Sequence, residues 1–303
     1  MNVVMLSSAD WAGSGYRVCE AINKYTDHKI ELIVQKGNMF GHPRGLVLRY
    51  ADKQTARNAQ KRILAADIVH LKGDWPPEPV YQGMRLPEGK PIIITVSGGK
   101  FRRGEHPREL YMKAQVRTSL EPDLLYPWYK GIWTPYAIDS KAQANIWHQA
   151  DPPIICHSPS DRPAKDTDFL LAVLAKLKKR IKFELLMIEK KTYQQAVEMR
   201  KIATIFCDQF KVGAYGNSAV EAMQFGIPTA CYLSHFSFVY AKGKLDKCPI
   251  LTAPKEVDKW VRLFEKTLTN DMGELSKRTK QWADDIHSYQ SIAKLWDKIY
   301  KSL

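Results

Sequence analysis

A short segment between residues 208 and 228 combines residue types suited to binding a phosphate group. Two glycines, Gly213 and Gly216, lie between two apolar strand-like runs, and the apolar spacing then changes to the 3.6-residue period of a helix. Asn217 or Ser218 can cap that helix. A helix N-terminus that follows a glycine loop presents unpaired N–H groups and a partial positive charge. The segment therefore predicts a strand, a loop, a helix and a strand, with an anion-binding loop.

Two carboxylates accompany this loop. Glu221 lies about one turn inside the predicted helix, so its side chain can reach hydroxyl groups attached to a bound phosphate. Asp208 precedes the loop and offers a second carboxylate close to it. An ordinary βαβ crossover, in which the glycines only permit tight packing, would give the same pattern without a ligand.

The segment resembles the C-terminal signature of GT-B glycosyltransferases, in particular those of the family 4 type. The motif reads Gly213-Ala-Tyr-Gly216 and then Glu221-Ala-Met-Gln-Phe-Gly226-Ile-Pro228. The resemblance implies that Glu221 holds the donor ribose and that the amides of Asn217 and Ser218, next to Tyr215 and Gly216, hold the diphosphate. Gly213 replaces the family carboxylate that contacts the transferred sugar, and Asp208 is the residue that could supply one instead.

A second basic segment, Arg162 to Lys165, follows a strand-like run at 154–157. It resembles the family's basic pair near a K-G-T motif, although Asp166 stands in place of the glycine. Paired cations that face a departing nucleoside diphosphate would stabilise the charge that grows in the transition state. The resemblance therefore implies that Lys165 and Arg162 are catalytic, while two solvated surface cations would explain the same residues without a ligand.

The N-terminal segment has the pattern of a Rossmann-like opening. A strand at 2–7 precedes Gly13 and Gly15, and a helix at 16–25 follows them. We expect these glycines either to approach the donor phosphates or only to allow a tight strand-to-helix turn.

Further candidates follow two other predicted strands, at 67–71 and 91–96. Since parallel sheets place ligands at the carboxyl ends of their strands, we expect acceptor contacts there. Many relatives carry a histidine where this sequence has Ser97, which argues against a histidine-centred mechanism. The predicted acceptor-side residues are Asp74, Trp75, Ser97, Lys100, Arg102 and Arg103.

The composition is that of a two-domain protein. The chain has 303 residues, 45% of them apolar, and it contains no apolar run long enough to span a membrane and no N-terminal basic region of a signal peptide. Five widely spaced cysteines without a Cys-x-x-Cys motif fit reduced core thiols. These features predict a cytoplasmic protein.

The sequence and the resemblance together predict an α/β protein of the GT-B fold, with two Rossmann-like domains that face a central cleft. We expect residues 1–150 to form the acceptor-side domain and residues 151–288 the nucleotide-sugar domain, with an amphipathic helix at 289–303 returning to the first domain. The donor would be a nucleotide sugar of the UDP or GDP type, the transfer retaining, and the protein a monomer or weak dimer. We predict no metal site, because the Asp166-Thr-Asp168 sequence begins a helix, where its expected role is capping.

The acceptor remains open among three hypotheses. A net charge of +14 favours a polyanionic partner, and the first hypothesis is a phage-type enzyme that glycosylates a hydroxymethylated base in DNA, with aromatic residues near Trp75, Trp128 and Trp133 lining a base pocket. The second is a glycosyltransferase that builds envelope glycan at an anionic membrane. The third is a non-catalytic protein that uses the GT-B fold for binding, because Gly213 and Ser97 replace two common functional residues.

Overall fold

The computed structural model describes residues 1–38, 40–49, 51–73, 85–105 and 108–303. These residues form two compact units, one made of 1–137 and 289–303 and the other of 138–288. Within the described ranges, no helix is long and apolar enough to cross a membrane.

The first unit is built on a parallel sheet with strand order β3-β2-β1-β4-β5-β6-β7 in its described part. Its successive elements are β1 (Asn2–Ala9), α1 (Ser14–Tyr25), β2 (Lys29–Lys36), β3 (Leu46–Val47), α2 (Lys53–Ala65), β4 (Ile68–Lys72), β5 (Ile92–Val96), α3 (Gly98–Arg102), α4 (Arg108–Lys113), β6 (Val116–Ser119) and β7 (Ile132–Trp133). Strands β1, β4 and β5 are buried over most of their length because helices cover both faces of the sheet.

The second unit contains a smaller parallel sheet with strand order β11-β10-β8-β9. Its elements are β8 (Ile154–His157), α5 (Arg162–Lys165), α6 (Thr167–Leu177), β9 (Glu184–Met187), α7 (Tyr193–Arg200), β10 (Ile205–Cys207), α8 (Asn217–Met223), β11 (Thr229–Ala230), α9 (His235–Tyr240), α10 (Val257–Leu268) and α11 (Gly273–Trp282). A five-residue π-helix, Ala283–His287, follows α11. The aromatic stretch that begins at Ser234 therefore contains a helix, α9.

The helix α12 (Tyr289–Lys301) belongs to the first unit. Its apolar face, which includes Ile292, Trp296 and Tyr300, joins the core beneath α1 together with Val18 and Ile22. The 3.6-residue spacing of these apolar positions is what makes the helix amphipathic and allows it to cover one side of the sheet.

The two units divide at Ala137, which is earlier than the predicted boundary at residue 150. The reason lies in contacts that composition does not reveal. Ile138 bridges to Ser288, and the Ser140 hydroxyl donates to the carbonyl oxygen of Ala283 at 3.1 Å. These contacts bind residues 138–150 to the end of the second unit rather than to the first.

Candidate functional site

Asp208 organises the loop at the start of α8. It directly follows β10, and its side chain is buried. Its Oδ1 accepts hydrogen bonds from Lys165 Nζ at 2.5 Å and from the Ser218 hydroxyl at 2.9 Å, while its Oδ2 accepts from the Gly216 amide at 2.6 Å. The carboxylate therefore holds a lysine and the helix N-terminus together.

The sheet explains why Lys165 reaches Asp208. Strands β8 and β10 are parallel neighbours, with His157 in register with Cys207, so the segments that follow them emerge at the same edge. Burial acts to raise the pKa of Asp208, but the Lys165 ammonium and the hydrogen bonds from Gly216 and Ser218 hold it below its ordinary value. Asp208 is consequently a carboxylate at neutral pH.

Gly216 lies against this ion pair. A Cβ atom built at Gly216 would be 3.3 Å from Lys165 Nζ and 3.4 Å from Asp208 Oδ2, so a side chain would press on both groups. The Gly216 amide is committed to Asp208, and no acceptor is found within the described chain for the amide of Ser218. The first-turn amides of a helix lack intrahelical partners, so Ser218 keeps a donor for a ligand.

Gly213 has no room for the carboxylate found in the family motif. Its φ is +81°, and a Cβ atom there would lie 2.7 Å from both Cβ and Oγ of Ser234. Ser234 is the N-cap of α9, and the Ser237 hydroxyl also donates to the Gly213 carbonyl at 2.6 Å. The start of α9 thus fills the space that a side chain at 213 would need.

Glu221 is buried in an ion pair with Arg200. Its Oε2 accepts from Arg200 Nη1 at 3.0 Å and its Oε1 from the Asn217 side-chain amide at 2.8 Å, with side chains 4% and 3% exposed for Glu221 and Arg200. The Arg200 guanidinium also packs on the Phe206 ring at 4.7 Å. The carboxylate is therefore oriented by protein groups rather than open to solvent.

Arg162 does not join the Lys165 cluster. Its guanidinium donates two hydrogen bonds to Glu189, at 2.7 and 2.6 Å, on the surface of the unit. The predicted basic pair is thus divided, since Lys165 faces Asp208 while Arg162 faces the segment after β9.

Tyr215 also points away from the loop. Its ring is 2% exposed, and its hydroxyl lies 3.0 Å from His287 Nε2. Burial raises the pKa of Tyr215 well above its ordinary value, so the phenol stays neutral. It packs the loop onto the π-helix.

The glycine loop of the first unit is closed by Asp10. This buried carboxylate accepts from the amides of Gly15 and Tyr16, each at 2.9 Å, and from Lys72 Nζ at 2.9 Å. Gly13 lies just before α1 with φ +64°, as the strand-to-helix turn requires. Because Asp10 takes the Gly15 amide, the structure favours the tight-turn interpretation of Gly13 and Gly15 over the phosphate contact.

The predicted acceptor residues are spread over several environments. Ser97 is the N-cap of α3 without a side-chain capping bond, and Lys100 is exposed. Arg102 donates to both oxygens of Asp123 at 2.7 and 2.8 Å, and Arg103 binds Glu105 in the same manner at 2.5 and 3.0 Å. Asp74 and Trp75 lie outside the described residues.

The sequence did not single out Asp10, Lys72 or Arg200. A signal existed for Asp10, because an aspartate between a strand and a glycine loop can accept hydrogen bonds from the first-turn amides of the helix that follows. Strand β4 pairs with β1, with Ser7 beside Lys72, so Lys72 emerges at the same edge as Asp10. Arg200 carried no signal, since its partner Glu221 lies in the next helix.

No family model and no curated protein matches the chain. Solved structures do match over its full length. Anabaena Alr3699/HepE in complex with UDP-glucose aligns at 10% identity with a TM-score of 0.64, over 100% of both chains. Sucrose-phosphate synthase from Thermosynechococcus elongatus aligns at 13% identity with a TM-score of 0.64, over 100% of this chain and 99% of that one. UDP-GlcNAc 2-epimerase from Neisseria meningitidis aligns at 12% identity with a TM-score of 0.54, over 100% of both chains.

At such low identity the likeness establishes the fold. Two Rossmann-like units with parallel sheets are what these neighbours share with the chain, and glycosyltransferases are among them. The predicted fold class is confirmed: this is an α/β protein of the GT-B fold.

Proposed function

We propose that the chain is a nucleotide-sugar-dependent glycosyltransferase whose second unit binds the donor. The observation that carries this proposal is the Lys165 ammonium, which Asp208 holds beside Gly216 and the N-terminus of α8. The Lys165 ammonium and the Ser218 amide lie close together, and such a combination of a cation with a first-turn helix amide is suited to binding a diphosphate. HepE, which shares the fold, binds UDP and UDP-glucose, and this supports a UDP- or GDP-linked donor.

Lys165 is the group we assign to catalysis. When the sugar leaves, negative charge accumulates on the nucleoside diphosphate, and an ammonium already fixed in place stabilises that charge without reorganising. Asp208 has both oxygens occupied by Lys165, Ser218 and Gly216, so we assign it the positioning of Lys165 rather than the sugar contact that the sequence suggested. Arg162, bound to Glu189, would need to exchange partners to take part.

Glu221 is assigned an indirect role in donor binding. Its carboxylate holds the Asn217 side chain at the first position of α8, where the amides of Asn217 and Ser218 would face the diphosphate. A direct bond to the ribose would have to be added to the hydrogen bonds that Arg200 and Asn217 already donate to this buried carboxylate. Glu221→Gln should therefore weaken donor binding less than Glu221→Asp, which shortens the side chain and releases Asn217; the reverse order, measured by calorimetry, would favour the direct ribose contact.

Retention of configuration and independence from metal remain part of the proposal. The supporting argument is that Lys165 and backbone amides supply the positive charge that a metal ion supplies in other transferases. The anomeric proton signal of the first product in NMR distinguishes retention from inversion. Activity that survives EDTA supports metal independence, and activity that returns only with a divalent ion contradicts it.

A hydroxymethylated base in DNA is still a proposed acceptor, but its support from the basic loop is weaker than the sequence implied. Asp123 and Glu105 neutralise Arg102 and Arg103, so the loop that begins at Lys100 carries less excess charge than its cations suggest. Glycan at an anionic membrane is the alternative acceptor.

One experiment tests both the reaction and the acceptor. The protein is mixed with a panel of UDP- and GDP-sugars and with duplexes containing unmodified, 5-hydroxymethylcytosine or 5-hydroxymethyluracil bases, or with lipid-linked saccharides, and mass spectrometry detects the gain of one sugar. Product with a hydroxymethylated duplex alone supports DNA, and product with the lipid-linked acceptor alone supports glycan synthesis. Donor binding without hydrolysis or transfer would favour a non-catalytic binding protein.

A further inference from the structure

The first unit contains a groove of about 390 Å³ that the donor site does not use. It lies between the segment after β5 and the segment after β6. Its lining combines aromatic rings with two arginines: Phe101, Arg102, Gly104, Arg108, Tyr126 and Trp128. A concave surface with aromatic walls and a few fixed polar groups is the usual form of a small-molecule site.

The aromatic wall is held by packing against the core. Phe101 and Tyr126 stack with centroids 5.7 Å apart, and Tyr126 stacks on Trp128 at 6.3 Å. Tyr129 lies behind them, with its hydroxyl donating to the carbonyl oxygens of Ile94 and Thr118 at 3.2 and 3.0 Å. The rings are thus pre-formed, which lowers the entropic cost of binding a flat or puckered ring against them.

The two arginines have different partners. Arg102 uses Nε and Nη2 on Asp123, and no acceptor for its Nη1 is found within the described residues. Arg108 lies over the Trp128 ring with its guanidinium carbon 4.4 Å from the centroid, and it has no carboxylate partner in the described part of the chain. Stacking fixes the plane of the Arg108 guanidinium while leaving its N–H donors at the edge.

The surrounding charges alternate in sign. Arg103 is paired with Glu105, Arg102 is paired with Asp123, and Arg108 is followed by the exposed Glu109. A polyanion such as DNA needs a continuous row of cations, and carboxylates at this spacing would repel neighbouring phosphates. A single anionic group beside a ring meets Arg108 and Arg102 without meeting the acids.

We propose that this groove binds an acidic saccharide unit of the acceptor, with the sugar ring against Tyr126 and Trp128 and its carboxylate or phosphate on Arg108 and the Nη1 of Arg102. The role of this saccharide as an acceptor rests on the proposed function, but its binding to the groove is measured without a donor. Bidentate pairing of a guanidinium with a planar or tetrahedral anion provides the specificity.

The test is a titration of the full chain, followed by NMR or calorimetry, with four probes. They are a glucuronate-containing disaccharide, a hexose phosphate, the neutral disaccharide cellobiose and a 5-hydroxymethylcytosine oligonucleotide. We expect an acidic saccharide to bind about tenfold more tightly than cellobiose, because its anionic group forms a charged hydrogen bond with arginine that the neutral disaccharide cannot form. The stronger of the first two probes identifies whether the anion is a carboxylate or a phosphate.

Variants locate the site. Arg108→Ala should remove the preference for the acidic probe, Arg108→Lys should retain part of it, and Lys113→Ala, which removes an exposed cation from the same helix, should leave it unchanged. Equal binding of neutral and acidic probes, or an Arg108→Ala protein that keeps the preference, overturns the proposal. So does tight oligonucleotide binding that depends on Arg108 while neither acidic saccharide binds.

The two proposals can fail separately. If the protein binds no nucleotide sugar but Arg108→Ala still abolishes acidic saccharide binding, the glycosyltransferase proposal fails and the groove remains a saccharide site. If donor binding is intact in wild type and in Arg108→Ala while no acidic saccharide binds, the groove proposal alone is overturned.

Discussion

Each unit places an aspartate directly after a strand, and each aspartate accepts hydrogen bonds from the segment that begins the next helix while it pairs with a lysine. In the first unit Asp10 follows β1, and its Oδ1 lies 2.9 Å from Lys72 Nζ. In the second, Asp208 follows β10 and lies 2.5 Å from Lys165 Nζ. The lysines differ in exposure, because the Lys72 side chain is 7% exposed and that of Lys165 is 17% exposed.

The number of amides that each aspartate occupies sharpens the contrast. Asp10 accepts from the amides of both Gly15 and Tyr16, whereas Asp208 accepts from the amide of Gly216 alone and from the hydroxyl of Ser218. The first arrangement closes the helix N-terminus. The second leaves the Ser218 amide and the partly exposed Lys165 ammonium available to a ligand. The same local arrangement therefore forms a structural cap in one unit and a candidate binding site in the other.

The largest expected effect is on stability, in the first unit. Lys72→Ala leaves the Asp10 carboxylate buried without its cation, and breaking a buried pair in this way costs about 3–5 kcal/mol. Urea unfolding should show this loss, whereas Lys29→Ala, at an exposed lysine, should change stability by about 0.5 kcal/mol or less. A double variant, Asp10→Asn with Lys72→Met, should recover much of the loss, and failure to do so would mean that the Asp10 carboxylate stabilises the protein mainly through the amides of Gly15 and Tyr16.

In the second unit the expected effect is on turnover. Lys165→Ala should lower kcat about 100-fold, as removal of one electrostatic donor does in other enzymes, with a smaller change in donor affinity. Steady-state kinetics and calorimetry on the same protein separate the two effects. Lys211→Ala is the control, because its exposed ammonium donates to the Pro163 carbonyl and, among the described residues, to no carboxylate. Equal losses in kcat and affinity would instead identify Lys165 as a contact to the bound donor.

The glycines beside the two pairs provide a smaller effect. A Cβ at Gly15 would meet Lys72 Cδ at 3.0 Å and Met5 Sδ at 3.2 Å, whereas at Gly216 it would meet Lys165 Nζ at 3.3 Å. Gly15→Ala should therefore lower stability by about 1–2 kcal/mol through overpacking. Gly216→Ala should mainly lower turnover, by moving the ammonium. Denaturation and steady-state kinetics on both variants compare the loss of stability with the loss of turnover. If both variants lost only stability, the two glycines would have the same structural role.

The smallest expected difference between the two units is in how their stability responds to acid. His70 on β4 and His157 on β8 are both buried, and burial lowers the pKa of His70 to about 3 and also lowers the pKa of His157. Because each folded-state pKa lies below the unfolded value of about 6.5, the stabilisation is complete above that pH and is lost as pH falls toward the folded value. His157 bonds the Cys207 carbonyl and the Thr167 hydroxyl, whereas His70 Nδ1 has no partner in the described chain.

We therefore expect amide hydrogen exchange, measured at pH 7 and pH 5, to show a greater loss of protection in β4 than in β8. His70→Asn should reduce the difference. Equal changes in the two strands would show that the two histidines are equivalent.

Periodicity and turn residues predicted most of the elements to within a few residues. The strand expected at 2–7 is β1 (Asn2–Ala9), and the helix expected at 16–25 is α1 (Ser14–Tyr25). These succeed because apolar spacing and glycines act locally along the chain. Prediction was weakest where a partner comes from a distant segment, as with Arg102 and Asp123, which follow the neighbouring strands β5 and β6.

The candidate site shows the same limit. The motif located the loop at Gly216 and the lysine at 165, because both follow strands of one sheet. It could not reveal that Ser234 fills the space beside Gly213, or that Glu221 faces Arg200, since those contacts depend on how α9 and α7 pack. A count of positive charges likewise could not show which arginines are already neutralised.

The placement of α12 bears on the order in which the protein takes shape during synthesis. The second unit is one continuous stretch, 138–288, and all of it has been translated before residue 289 is added. The core of the first unit needs Trp296 and Tyr300 beside Val18 and Ile22. During synthesis, the first unit therefore cannot complete its core until α12 has been translated, and the face beneath α1 stays uncovered while the second unit is made.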